Sequence, residues 1–175
     1  EPFITCDMRL MLERTDSIVE GIKTVMKYLE LKTCVIGIEN NKPEAIAALT
    51  EAVSGLENVS VLALKSSYPK GAEKVIIYEA TGRVVEEGKL PADAGVIAMN
   101  VATISKLAEY LQTGMPLVEK MLTIDGGSVA EPKNIIAPIG TSIKDMIEFC
   151  GGYKSEPKKL ILGGPMMGIC VVSDE

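Results

Sequence analysis

Apolar positions recur every three or four residues at Met8, Leu12, Ile18, Val19, Ile22, Val25, Met26 and Leu29, which predicts one long amphipathic helix from Asp7 to about Tyr28 with Thr5 or Asp7 near its cap. The pattern then tightens. Thr33 to Glu39 is a continuous β-branched and apolar run that reads as a buried parallel strand, and Asn40-Asn41-Lys42 reads as a turn. Pro43 suits the first position of a helix running to about Val53, and Asn58 to Leu64 is a second strand. Strand, helix and strand make one βαβ unit, whose right-handed crossover places Glu39-Asn40 and Lys65-Ser66 on the same sheet edge.

After that second strand comes Tyr68-Pro-Lys-Gly-Ala-Glu-Lys74, and a helical pattern runs from Ala72 to Ala80 and ends by Thr81-Gly82. Arg83 to Pro91 has the charge and Gly/Pro punctuation of an exposed loop. Gly95 to Met99 reads as a short buried strand, and Asn100 as the cap of a helix reaching about Leu111. Gly114-Met-Pro116 stops that helix, and the pattern changes to short strands at Val118–Ile124, Asn134–Ala137, Lys159–Leu162 and Ile169–Val172 around a helix at Ser142–Phe149. The expected architecture is a Rossmann-like α/β domain with a parallel sheet and flanking helices over residues 1–113, followed by a small α+β domain over 114–175.

Composition narrows the function classes. Hydrophobic residues are 47% of the 175, enough for packed cores. A net charge of −6, with five Tyr, two Phe and no Trp, offers neither a basic stripe nor a stacking platform for nucleic acid. No run is long enough for direct membrane insertion, and the amino terminus has no signal-peptide pattern, so the chain itself is expected to be soluble. Cys6, Cys34, Cys150 and Cys170 are widely spaced, and the sequence has no histidine, so no metal site is expected within these residues. Glu1-Pro-Phe-Ile-Thr-Cys-Asp7 begins without an initiator Met, as though cut from a longer chain.

The strongest candidate chemistry is the Tyr68 to Lys74 turn, because ligands of open α/β sheets bind where strands end and helices begin. Gly71 lets a ligand approach the backbone, the helix start suits an anion, and Glu73 can accept from ribose hydroxyls or an amide. An ordinary strand-to-helix turn with a solvated glutamate has the same pattern, and spacing alone does not separate the two. Asn100 and Thr103 can likewise do no more than satisfy backbone groups at their helix start. Met166 and Met167 fit either a soft interaction surface or packing in a tight turn.

Four motifs stand in order: Glu1-Pro-Phe-Ile-Thr-x-Asp-x-Arg-Leu-Met11, Tyr68-Pro-Lys-Gly-Ala-Glu-Lys74, Leu90-Pro-Ala-Asp-x-Gly-Val-x-x-x-Asn-Val-x-Thr103 and Gly163-Gly-Pro-Met-Met-Gly168. With them the chain resembles the RnfC family of the Rnf electron-transport complex. More distantly it is similar to the flavoprotein subunit of respiratory complex I and to the cobalamin reductases of bacterial microcompartments. The resemblance implies part of an FMN- and NADH-binding domain followed by an SLBB domain of β-grasp type. It also implies an electron-entry subunit that oxidises NADH through FMN and passes electrons to iron–sulfur clusters.

By the same resemblance Tyr68, Gly71 and Glu73 fall on the flavin and nucleotide segment, Asn100 and Thr103 beside the flavin, and Glu1 on the nucleotide side. No catalytic acid or base is implied, since the cofactor carries the chemistry. Ala72 stands where complex I has a carboxylate. The Gly-rich FMN-phosphate loop and the cysteine motifs for two [4Fe-4S] clusters, expected before and after this stretch, are not among these residues. The stretch alone is therefore expected to bind FMN weakly or not at all. The implied partners are other Rnf subunits and NADH, holding the protein peripherally on the cytoplasmic face of the membrane. A related cobalamin reductase subunit, using the same residues on a different electron acceptor, and a ligand-binding or docking module without enzymatic activity are the rival readings.

Overall fold

A computed structural model describes residues 1–174. The chain divides into two compact units, one of residues 8–114 and the other of residues 1–7 with 115–175.

The larger unit opens with helices α1 (Cys6–Glu13) and α2 (Thr15–Tyr28) in place of one long helix. Arg14, at φ −127° and ψ 31°, breaks the spiral. The Thr15 hydroxyl donates to the Met11 carbonyl at 2.7 Å and takes the acceptor that a continuous helix would give to the Thr15 amide. Apolar spacing cannot register so small a break, because Met11, Ile18 and Ile22 still enter one core.

Strand β1 (Cys34–Glu39) pairs in parallel with β2 (Val59–Leu64), in register from Cys34 opposite Val59 to Glu39 opposite Leu64. Helix α3 (Pro43–Val53) connects them, with Pro43 in its first turn. Strand alternation sorts the two faces of this sheet. Cys34, Ile36, Ile38, Val59 and Val61 join α2, α3 and the start of α5 (Val101–Thr113) around Ile18, Ala45, Leu49 and Ile104. Gly37 looks the other way. A Cβ on it would lie 2.9 Å from Ile76 Cδ1 of α4 (Glu73–Thr81) and 3.1 Å from Leu64 Cδ1, so a side chain there would crowd both and force them to shift.

Gly21 of α2 has the same role on a harder surface. A Cβ there would sit 2.2 Å from the Ile104 carbonyl oxygen, and only glycine lets α2 and α5 approach this closely. Between α4 and α5, a 3-10 turn at Pro91–Ala94 follows the expected loop, within which Val85 is buried. Gly95–Met99 is not the expected buried strand. It is irregular, with Ile97 and Met99 exposed, and no strand pairs with it among the described residues. An apolar run specifies burial in a sheet only where a neighbouring strand offers hydrogen bonds.

In the smaller unit, β3 (Glu119–Ile124) pairs antiparallel with β4 (Lys133–Pro138), and β5 (Leu160–Leu162) with β6 (Ile169–Val171). Helix α6 (Ile143–Phe149) is capped by Ser142, whose side chain accepts from the Asp145 amide at 3.0 Å. Val129, Ile135, Ala137 and Cys150 form the core with Leu122, Ile124 and Met146 against them. Cys34 in the larger unit and Cys150 here both have thiol pKa values raised, chiefly by desolvation. No helix among the described residues is long and apolar enough to cross a membrane.

Two outcomes are expected. Gly21→Ala gains up to ~1 kcal/mol of helix propensity but drives a methyl into backbone that has no room to move, at about 3 kcal/mol, for a net loss near ~2 kcal/mol. A lower urea midpoint at unchanged m-value is the expected observation. The second follows from the thiols. Below the ordinary thiol value of 9.0 they stay protonated in folded and unfolded chains alike, so they give stability no pH dependence. As pH rises above 9.0 the unfolded chain releases these protons first, so folding stability falls. Urea midpoints measured on both sides of that value should decline more shallowly in a Cys34→Ala, Cys150→Ala variant.

Candidate functional site

The carboxyl ends of β1 and β2 are stitched together before the chain leaves the sheet. The Asn40 amide donates to the Leu64 carbonyl at 2.7 Å, and the Ser66 amide to Asn40 Oδ1 at 3.0 Å. Lys42 Nζ pairs with Glu39 Oε2 at 2.9 Å and donates to Asn41 Oδ1 at 2.9 Å. From this edge the chain turns through a cis Tyr68–Pro69 peptide. The Lys70 amide donates to the Ser67 carbonyl at 2.9 Å and the Ala72 amide to the Pro69 carbonyl at 2.8 Å, which folds the turn onto the start of α4. The Lys70 ammonium pairs with Glu79, farther along the same helix.

Ala72 occupies the N-cap in an extended conformation and supplies no side-chain acceptor. Alanine at this cap leaves the first turn of α4 without a capping side chain. Glu73 is the first helical residue and is exposed, as is Gly71. A Cβ on Gly71 would meet nothing within 4 Å, so no packing within the chain requires a glycine there. Tyr68 is 59% exposed beside it. An anion-accepting helix start, a carboxylate acceptor, an open backbone and an exposed ring lie within seven residues, a set that fits a nucleotide or flavin.

Asn100 and Thr103 stand on a second segment of the same unit. Asn100 Oδ1 accepts from the Ala102 amide at 2.8 Å and its carbonyl from the Thr103 amide at 3.0 Å, so this helix start, unlike that of α4, has its own cap. Thr103 is exposed, while Val101 and Ile104 fix the turn to the core.

Glu1 lies in the smaller unit. Its Oε2 accepts from the Met166 amide at 3.1 Å, inside the Gly163–Gly168 turn. A Cβ on Gly164, at φ 93°, would come within 2.7 Å of that same oxygen. Four residues on, Thr123 Oγ1 accepts from the amides of Thr5 and Cys6, both at 3.1 Å, and donates to Asn134 Oδ1 at 2.7 Å. The Asn134 amide nitrogen donates to Thr5 Oγ1 at 2.9 Å. Thr123 therefore caps the start of α1 across 117 residues.

The structure gathers Tyr68, Gly71 and Glu73 into one turn, sets Asn100 and Thr103 at a second helix start, and leaves Glu1 to the other unit. Sequence reasoning missed Arg83. Its Nη1 donates to the Ala94 carbonyl at 3.0 Å and the Gly95 carbonyl at 2.6 Å. Lys74 was missed too, with Nζ donating to the Glu86 carbonyl at 2.7 Å. Acceptors on a distant backbone leave no mark in residue spacing.

This is a mixed α/β unit with its candidate site at the carboxyl edge of a parallel sheet, together with a small α+β unit. Residues 1–109 match the family model of the Nuo51 FMN-binding domain and residues 121–169 that of the SLBB domain; the chain belongs to the Nuo51 FMN-binding domain family. It is similar to the RnfC-type component of the proton-translocating ferredoxin:NAD(+) oxidoreductase complex of Clostridium ljungdahlii, at 48% identity over 96% of this chain and 36% of that protein. Its identity to the same component of the Na(+)-translocating ferredoxin:NAD(+) oxidoreductase complex of Acetobacterium woodii is 44%, over 97% of this chain and 38% of that protein. The corresponding component of the ion-translocating oxidoreductase complex of Pseudomonas aeruginosa is 37% identical, over 98% of this chain and 22% of that protein. The chain spans at most 38% of the length of these relatives. The resemblance to RnfC holds in both halves.

Thr123→Val removes the shared acceptor at the start of α1 and is expected to cost ~1–2 kcal/mol. Thr123→Ser should recover most of it. Urea unfolding gives the loss, and faster amide exchange at Cys6 locates it.

Proposed function

We propose that this chain is part of the electron-entry flavoprotein of an Rnf-type complex. In the parent protein residues 1–113 belong to the FMN- and NADH-binding domain and residues 114–175 form the SLBB domain. The observation that carries the reading is the α4 start: a cap position without a side-chain acceptor, an open Gly71 and an exposed Glu73 at the sheet edge of an FMN-binding family member.

FMN, when bound, would supply the redox chemistry between NADH and the iron–sulfur clusters of the parent protein. The chain's own residues bind and orient. The Glu73 and Lys74 N–H groups at the start of α4 would meet an anionic group, and the Glu73 carboxylate would accept from ribose hydroxyls or an amide. Gly71 would admit the ligand to the backbone, with the exposed Tyr68 ring beside it. Asn100 holds its helix start in shape, and the Thr103 hydroxyl on the same turn would face the flavin. In the relatives' names ferredoxin is the second redox partner, and we assign the same class of partner to the parent of this chain. Other subunits would hold it peripherally on the cytoplasmic face of the membrane.

The test uses the full-length parent protein, purified without oxygen. Flavin and iron–sulfur absorbance that bleaches on adding NADH is expected, and Glu73→Gln and Tyr68→Ala should each lower kcat/KM for NADH about tenfold or more. Unaltered flavin content and NADH oxidation in both variants would remove the site assignment. A colourless protein after cofactor reconstitution would leave the docking-module reading in its place.

A further inference from the structure

We infer that Arg83 is a positioning residue that ties the end of α4 to the segment delivering Asn100 and Thr103. Arg83 is itself held firmly. Gly82, at φ 71°, closes α4 with its amide on the Tyr78 carbonyl at 2.8 Å. Thr81 Oγ1 donates to the Ile77 carbonyl at 2.7 Å and accepts from the Arg83 amide at 3.1 Å, so the backbone that bears the guanidinium is fixed to the last turn of the helix.

From there one nitrogen reaches two successive carbonyls, those of Ala94 and Gly95, where the 3-10 turn ends. Carbonyls at a helical end lack partners within the helix, and a cation suits that end. Gly95 is required on two counts. Its φ is 68°, and a Cβ would lie 3.0 Å from Arg83 Nη1. Beyond it Gly95–Met99 has no pairing strand among the described residues, so the Arg83 bonds enter where sheet pairing does not. Five residues after Gly95 the chain reaches Asn100, the cap of α5. Lys74, in the first turn of α4, adds a second tether to the same connection through the Glu86 carbonyl. Segments carrying Glu73 at one end and Asn100 with Thr103 at the other are thus joined through side-chain-to-backbone bonds.

The clamp stands on geometry, and its bearing on the flavin rests on the function proposed above. Arg83→Met keeps an unbranched stem and removes the donors; Arg83→Lys restores a donor. In the full-length protein, amide exchange over Val96–Ile104 should quicken about tenfold in Arg83→Met, with β1 amides and the unfolding midpoint unchanged, and Arg83→Lys should recover much of the protection. The dissociation constant for FMN should rise by a similar factor, about tenfold, and the visible circular dichroism of bound flavin should change. Unchanged exchange overturns the clamp. Quickened exchange with unchanged flavin affinity and dichroism overturns its role at the site, and general destabilisation, in which β1 amides exchange faster as well, overturns positioning in favour of ordinary stability. Wild-type protein that takes up no flavin overturns the flavin reading, and exchange still decides the clamp.

Discussion

The closest approach on which the larger unit depends is that of α2 to α5 at Gly21. With the Ile104 carbonyl only 2.2 Å from where a Cβ would stand, the two helices meet backbone to backbone, and Ile104 reaches the core shared by Ile18, Ile22, Ile38 and Leu49. A larger residue at 21 would lift α5 and with it the helix start bearing Asn100 and Thr103. A local steric constraint on one helix thereby sets the placement of polar groups on another.

The sheet passes on a similar constraint from its opposite face. Ile36 and Ile38 look into the α2–α3–α5 core, while Gly37 lets Ile76 of α4 settle against β1. The turn from Tyr68 to Glu73 is thus fixed at its far end by helix packing and at its near end by the Asn40 bonds to Leu64 and Ser66. Between these anchors the Lys70 ammonium pairs with Glu79, while Gly71 and Glu73 stay exposed. Rigid support with an open surface is what a binding edge requires.

Elements that depend on neighbours in sequence were legible in it. Pro43 at a helix start, Gly82 and Gly114 after helix ends, and Asn100 and Ser142 as caps all act within a few residues of themselves. So the α/β class, and the placing of Glu73 at a helix start, could be read from the chain. What escaped depends on partners far along it. The break at Arg14 lies in a hydroxyl's choice of acceptor, and the apolar run from Gly95 to Met99 finds no strand beside it. Glu1 reads as an isolated acid until the Met166 amide is seen 165 residues away. Arg83 reads as a loop charge until its carbonyls are found.

The bonds of Glu1, Thr5 and Cys6 within the smaller unit bear on how such chains are divided. The family match to the flavin domain begins at residue 1, yet residues 1–7 pack with residues 115–175. The seam in sequence and the seam in space therefore fall at different places, and the latter crosses α1 between Asp7 and Met8. A swap of the small unit between related chains, joined at residue 114, would graft a foreign floor beneath a native strap. Thr123, Asn134 and the Gly163–Gly168 turn would then have to suit an amino-terminal segment they had not arrived with, so a graft that keeps these bonds has to carry residues 1–7 along with 115–175.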